Sequence, residues 1–217
     1  MREAHRRETA GEDIIHMEVG QPATPAPRAA RERVARAMSE ENLGYTLSLG
    51  LPELRERIAD YISTRYGVTV AADRVVVTAG SSAGFVLAFL AILEHGEGFG
   101  LPSPGYPCYR QILKALGFSP HLIETSEDGR WMPTTTDVEA LAASGAAGLL
   151  LASPNNPTGT MAQAPRLKEL ADRCAQHGLW LISDEIYHGL EYDVEAETAL
   201  AYSNAAIVVN SFSKYFS

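Results

Sequence analysis

From Arg74 onward one rhythm repeats: a short apolar run, a loop of small polar residues, then apolar residues at helical spacing. Val75-Val76-Val77 stops at Thr78-Ala79-Gly80-Ser81-Ser82, and residues 83–93 follow as a helix apolar nearly all round, expected to be buried. A run ending in Pro102-Ser103-Pro104-Gly105-Tyr106-Pro107 precedes a helix carrying Ile112, Leu113 and Leu116. Leu149-Leu150-Leu151 ends in Ser153-Pro154-Asn155-Asn156-Pro157-Thr158-Gly159, before Leu167, Leu170, Ala171 and Cys174 at i, i+3, i+4 and i+7. Leu179-Trp180-Leu181-Ile182 closes in Ser183-Asp184-Glu185, and Ala205-Ala206-Ile207-Val208-Val209 in Asn210-Ser211-Phe212-Ser213-Lys214. Such alternation predicts βαβ units: an α/β fold with a mainly parallel sheet covered by helices.

The chain ahead of this rhythm is less regular. Residues 14–19 form a short extended candidate that breaks at Gly20-Gln21-Pro22, and residues 22–27 read as an ordered crossing or arm rather than a helix. Val34, Ala37 and Met38 recur at helical spacing, and Asn42-Leu43-Gly44-Tyr45 is a turn carrying an aromatic. Pro52 opens an amphipathic helix with Leu54, Ile58, Tyr61 and Ile62, closed by Gly67.

Charge and composition narrow the function classes. A formal net charge of -9 argues against nucleic acid as a partner. The early arginines (Arg2, Arg6, Arg7, Arg28, Arg31, Arg33, Arg36) are interleaved with glutamates and apolar residues, which predicts a solvated helical face. Residues 85–93, the longest apolar stretch, fall far below the roughly 20 needed to span a bilayer, and the N-terminus lacks the apolar core of a secretory signal. Two cysteines, Cys108 and Cys174, are no disulfide framework and suit a cytosolic protein with reduced thiols. The six histidines show no metal-ligand spacing with acids or cysteines.

In parallel α/β sheets ligands bind outside the carboxyl ends of the strands, the edge where all the polar loops fall. Each loop has a plain reading and a chemical one. Gly80-Ser81-Ser82 at a helix start is either a serine N-cap or a phosphate cradle, and it lacks the spacing and lysine of a P-loop. Asn156-Pro157-Thr158-Gly159 is an ordinary turn or a ligand loop. Asp184 caps the next segment or meets a ligand, and Tyr106 packs in its turn or stacks. Lys214 is surface or a Schiff-base lysine. Their common edge and order are what the plain readings leave unexplained.

Six segments in this order resemble the class I/II aminotransferases, fold type I pyridoxal-phosphate enzymes. They are Gly20-Gln21-Pro22; Gly44-Tyr45 with Gly50-Leu51-Pro52-Glu53-Leu54-Arg55; Pro104-Gly105-Tyr106-Pro107; Asn155-Asn156-Pro157-Thr158-Gly159; Asp184-Glu185-Ile186-Tyr187; and Ser211-Phe212-Ser213-Lys214. The resemblance covers residues 20–217. It implies the three-layer α/β/α large domain of that fold over residues 31–217, with a mixed, mainly parallel sheet, after an N-terminal arm over residues 1–30. It also implies pyridoxal 5'-phosphate as cofactor, and transfer of an amino group from an L-amino acid to a 2-oxo acid.

The roles it implies are specific. Lys214 carries the cofactor and moves the substrate's Cα proton, and Asp184 pairs with the pyridine nitrogen. Tyr106 stacks on the ring, while Asn156 and Tyr187 donate to its 3′ oxygen. Gly80, Ser81, Ser82 and Ser211 hold the phosphate. Tyr45 reaches the phosphate of a neighbouring subunit, which implies a homodimer. Gly20 and Asn156 border the substrate. His188 and Glu185 are expected to be supporting or surface groups rather than catalysts.

Three departures qualify the resemblance. After its lysine the family continues into a Gly-Trp-Arg phosphate-binding segment and a C-terminal small domain with the arginine that grips the substrate carboxylate; these 217 residues contain neither. The chain is therefore expected to be truncated, to expose apolar surface, to self-associate, and to turn over weakly or not at all. Gly96-Glu97-Gly98-Phe99-Gly100 replaces the usual β-branched start of a strand, so irregular structure is expected there. A lyase or decarboxylase of the same fold, and a non-catalytic regulatory domain, stay open as alternatives.

Overall fold

The computed structural model describes residues 1–17 and 20–217. Its contacts divide into two units, one of Met1–Leu43 with Phe212–Ser217, the other Gly44–Ser211. The smaller unit contains α1 (Arg2–Thr9) and α2 (Arg28–Glu40), which have no buried residues. Their arginines pair on the surface, Arg6 with Glu3, Arg7 with Glu12 and Arg33 with Glu41, as expected of a solvated face. Residues 22–27 are non-helical. Of the extended candidate over residues 14–19, Glu18 and Val19 lie outside the described residues, and the others form no strand.

The larger unit begins with α3 (Pro52–Tyr66), which has Pro52 in its first turn and Gly67 as its left-handed C-cap. Then come α4 (Ser81–Ile92), β1 (Gly98–Ser103), α5 (Pro107–Ala115), β2 (Ser119–Glu124), α6 (Thr135–Ala143), β3 (Ala146–Ala152), α7 (Ala164–Gln176), β4 (Trp180–Asp184) and β5 (Ile207–Val209). The strands form one sheet in the order β2-β1-β3-β4-β5, and every pairing is parallel. All five carboxyl ends thus share one edge.

Alternation along the strands makes three layers. On β3, Leu149 and Leu151 pack with Val138 and Leu141 of α6 and with Leu167, Leu170 and Cys174 of α7. Leu150 points to the opposite face, with Phe85 and Phe89 of α4, Tyr109 and Leu113 of α5, and Ile182 of β4. A strand buried on both faces reads as an unbroken apolar run, which is what β3 is.

Two expectations need correction, and a third is borne out in part. Val75-Val76-Val77 is not a sheet strand: Val77 N donates to Leu49 O at 3.0 Å, Val75 O accepts from Arg55 Nε at 2.7 Å, and no described strand lies alongside to complete a ladder. Helix α4 is not buried all round: Phe85, Ala88 and Phe89 face the core, while Leu87 and Leu90 are 51% and 54% exposed. One helix side meets the sheet, and nothing among the described residues covers the other. The glycine-heavy stretch is ordered, since Gly98-Phe99-Gly100 begins β1, an interior strand, but its pairing with β3 shifts register between Gly98 and Gly100, so the expected irregularity is present there in part. A Cβ on Gly100 would stand 2.3 Å from Leu141 Cδ1, so glycine there lets α6 seat closely on the sheet.

Candidate active site

The order β2-β1-β3-β4-β5 reverses direction between β1 and β3, and a crevice opens at such a switch point beyond the strand ends. A small cavity lies at this end of the strands, lined by Pro102 of β1 and Gly105 after it, Ala152 of β3 and Asn155 after it, Tyr109, and Trp131. Tyr106 is the N-cap residue of α5, with its ring 43% exposed and edge-on to Tyr109 at 5.5 Å between centroids.

Asp184 ends β4 and is buried. Tyr109 O–H donates to its Oδ2, and Ile186 N donates to Oδ1 at 3.1 Å. The capping contact considered for Asp184 is therefore present, together with a second partner. Burial pushes its carboxyl above the ordinary range, against the pull of the two hydrogen bonds. No cation pairs with it among the described residues. Next to it, Asn156 Nδ2 donates to Tyr187 Oη at 3.4 Å, joining the loop after β3 to the turn after β4. The Asn156 loop is itself closed by Gly159 N to Asn155 O and Asn155 N to Thr160 O, both 2.8 Å.

Helix α4 starts at Gly80, whose φ of +87° suits glycine, and no side chain caps it. The serine N-cap reading therefore fails, since Ser81 is already the first helical residue. Ser82 Oγ is 3.8 Å from Cys108 Sγ at the start of α5. Ser211 follows β5, with its N–H donating to Asn210 Oδ1 at 2.7 Å. Tyr45 is fully exposed. In the smaller unit Lys214 Nζ donates to the Gly20 carbonyl at 2.8 Å.

Two features escaped the sequence reading. Tyr109 belongs to the series 109, 112, 113, 116, the apolar face of α5, and a buried tyrosine hydroxyl needs a partner. Glu185 and His188 are not surface groups; they are 1% and 4% exposed. Glu185 Oε1 accepts from Ala199 N at 2.8 Å, Ser183 Oγ at 3.0 Å and Thr198 Oγ1 at 3.1 Å. Burial pushes its carboxyl up to about 7 and holds the His188 imidazole down at about 4.

Residues 12–217 match the family model for aminotransferase class I and II. The chain belongs to this family. Aminotransferases of classes I and II are pyridoxal-phosphate enzymes. Within the family the chain is 44% identical to the valine–pyruvate aminotransferase of Mycobacterium tuberculosis over 98% of its own length and 55% of the relative's. It is 30% identical to the aspartate aminotransferase of Pyrococcus horikoshii over its full length and 56% of that protein. A crystal structure of an aminotransferase from Mycobacterium tuberculosis superposes with a TM-score of 0.94 at 42% identity, over 99% of this chain and 56% of that one. The chain thus spans about half the length of the relatives it matches. No described helix is long and apolar enough to cross a membrane.

Proposed function

We propose that this chain supplies the cofactor-binding part of a pyridoxal-phosphate aminotransferase, acting on an L-amino acid and a 2-oxo acid. The observation that carries the reading is Asp184: a buried carboxylate at the end of an interior strand, held by two donors and with no cation beside it among the described residues. Burying a lone carboxylate is costly, and a protonated pyridine nitrogen supplies both the missing positive charge and a hydrogen-bond donor. The uncapped start of α4 suits the phosphate for the same kind of reason, because its free N–H groups and helix dipole favour an anion. The residues therefore fit the group.

Bound there, pyridoxal phosphate supplies a sink for the electrons left on the substrate's Cα when its proton departs. The remaining work falls to side chains. Asp184 keeps the ring nitrogen protonated through a charge-assisted hydrogen bond worth about 1.5–3 kcal/mol. Tyr106, exposed beside the crevice, stacks on the ring, and Asn156 and Tyr187 donate to its 3′ oxygen. Gly80, Ser81, Ser82 and Ser211 hold the phosphate. Lys214 carries the group through Nζ and then holds and moves the Cα proton. Gly20 and Asn156 border the substrate. Tyr45 reaches the phosphate of a second subunit in a homodimer; its full exposure supports that role. The free thiols Cys108 and Cys174 support a cytoplasmic setting.

The name of the Mycobacterium tuberculosis relative makes valine with pyruvate the first pair to assay. The test follows ¹⁵N from labelled valine into alanine. Labelled alanine is the expected product, formed only slowly by these 217 residues. Release of ammonia or carbon dioxide without labelled alanine would replace this reading with the lyase or decarboxylase alternative.

A further inference from the structure

Ser153 is the hinge between β3 and the Asn156 loop, and all its polar groups are committed. Its N–H donates to Asp184 O at 3.1 Å, its Oγ accepts from Ala162 N at 3.0 Å, and its carbonyl lies 2.9 Å from His188 Nε2. A carbonyl only accepts, so Nε2 carries the hydrogen. Nδ1 is then free to accept from Tyr66 O–H at 2.7 Å. Glu185 Oε2 stands 3.6 Å from Nδ1, outside hydrogen-bond reach. Tyr66 is the last residue of α3, and its neighbour Arg65 pairs with Glu191 at 3.2 Å in the turn beyond His188. Both imidazole nitrogens thus serve one purpose, tying the end of α3 and the turn after β4 to the first residue of the Asn156 loop.

The tie lies close to the proposed chemistry. Only Pro154 and Asn155 separate Ser153 from Asn156, and Tyr187 is adjacent to His188. The Asn156–Tyr187 hydrogen bond, at 3.4 Å, is too long to fix its own geometry. The pair stands on the two backbones that His188 joins, Asn156 on the loop after β3 and Tyr187 on the turn after β4. We propose that His188 is a positioning residue that holds Asn156 and Tyr187 in register through the Ser153 carbonyl. Its importance for cofactor binding rests on the function proposed above; the tie itself does not.

The experiment uses the 217-residue chain with His188→Leu, His188→Gln and Tyr66→Phe, read first by peptide-level hydrogen exchange without cofactor. Leucine removes the Nε2 donor, and glutamine retains one at a similar reach. His188→Leu should speed exchange about tenfold in peptides covering residues 153–162 and leave the α7 core unchanged. His188→Gln should restore most of the protection. Should His188→Leu fail to fold, Tyr66→Phe, which removes only the hydroxyl, should still loosen the same peptides about threefold. The second reading is pyridoxal-phosphate affinity. His188→Leu should weaken it about tenfold in the unaltered chain, and less than twofold where Asn156→Ala and Tyr187→Phe are already present. Unchanged exchange in the 153–162 peptides, or equal affinity losses in both backgrounds, would overturn the proposal. Local loosening in an unaltered chain that binds no pyridoxal phosphate would leave the tie standing and defeat the proposed function instead.

Discussion

The carboxyl end of β4 and the amino end of α4 lie at the same sheet edge and are finished in opposite ways. At β4, Ser183, Asp184, Glu185 and His188 are buried, and their polar groups are matched by Tyr109, Thr198, Ser153 and Tyr66. At α4 no side chain caps the helix, Ser82 is exposed, and Leu87 and Leu90 face outward. A buried polar group must find its partner within the fold, whereas an exposed helix start can leave its N–H groups to water or to an anion. The first region makes its hydrogen bonds within the fold and leaves only the charge of Asp184 unmatched among the described residues; the second leaves its N–H groups open to an anion.

The comparison breaks most readily at Asp184. Asp184→Ala removes the acceptor of the buried Tyr109 hydroxyl, an expected loss of about 1–3 kcal/mol in denaturant unfolding. It should leave some cofactor bound while amino transfer falls at least ~10²-fold. Near-normal transfer in this variant would show that Asp184 does not sustain the electron sink.

The pH dependence of stability separates the two buried neighbours. Glu185 titrates near 7 in the folded chain, so the folded state holds its proton more tightly, and stability falls as pH rises from about 4.5 to about 7. His188 titrates near 4, so the unfolded state holds that proton more tightly, and stability rises with pH between about 4 and 6.5. Each slope amounts to something on the order of 3 kcal/mol, and they oppose one another from about pH 4.5 to 6.5. Unfolding curves of Glu185→Gln should therefore rise with pH across that window, and those of His188→Gln should fall. Parallel curves for the two variants would contradict the assigned burial effects.

At α4 the expected effects are smaller. Replacing Ser81 and Ser82 together with alanine should change stability by less than about 0.5 kcal/mol, since neither caps the helix, while weakening pyridoxal-phosphate affinity several-fold to about tenfold. A stability loss near 1 kcal/mol would mean that a cap had been removed. Leu90→Gln should be smaller still, within about 0.5 kcal/mol, and should reduce self-association in sedimentation.

Much of this contrast was legible in the sequence, for identifiable reasons. Parallel strands buried on both faces are unbroken apolar runs, so β3, β4 and β5 and the loops at their carboxyl ends could be read directly, as could the 3.6-residue period of α7. Pairing and burial across long separations were not legible. The apolar face of α5 is local, but Asp184, the acceptor of Tyr109, lies 75 residues away. Composition made α4 look buried, while only the sheet's geometry decides which side is covered. Val75-Val76-Val77 has the propensity of a strand, yet a strand needs a neighbour to pair with. Gly100 looked like a break and instead makes room for Leu141. Glu185, inside a recognisable segment, and His188, just after it, carried no local sign that they would be enclosed.

The most direct test of the account asks whether Lys214 carries the cofactor. The 217-residue chain would be incubated with pyridoxal phosphate, reduced with borohydride and mapped by peptide mass, with Lys214→Ala as control. One reduced cofactor fixed to Lys214, absent from the control, is the predicted result. A chain that binds pyridoxal phosphate but is labelled at another lysine, or equally in the control, would contradict the assignment of this edge as an aminotransferase site.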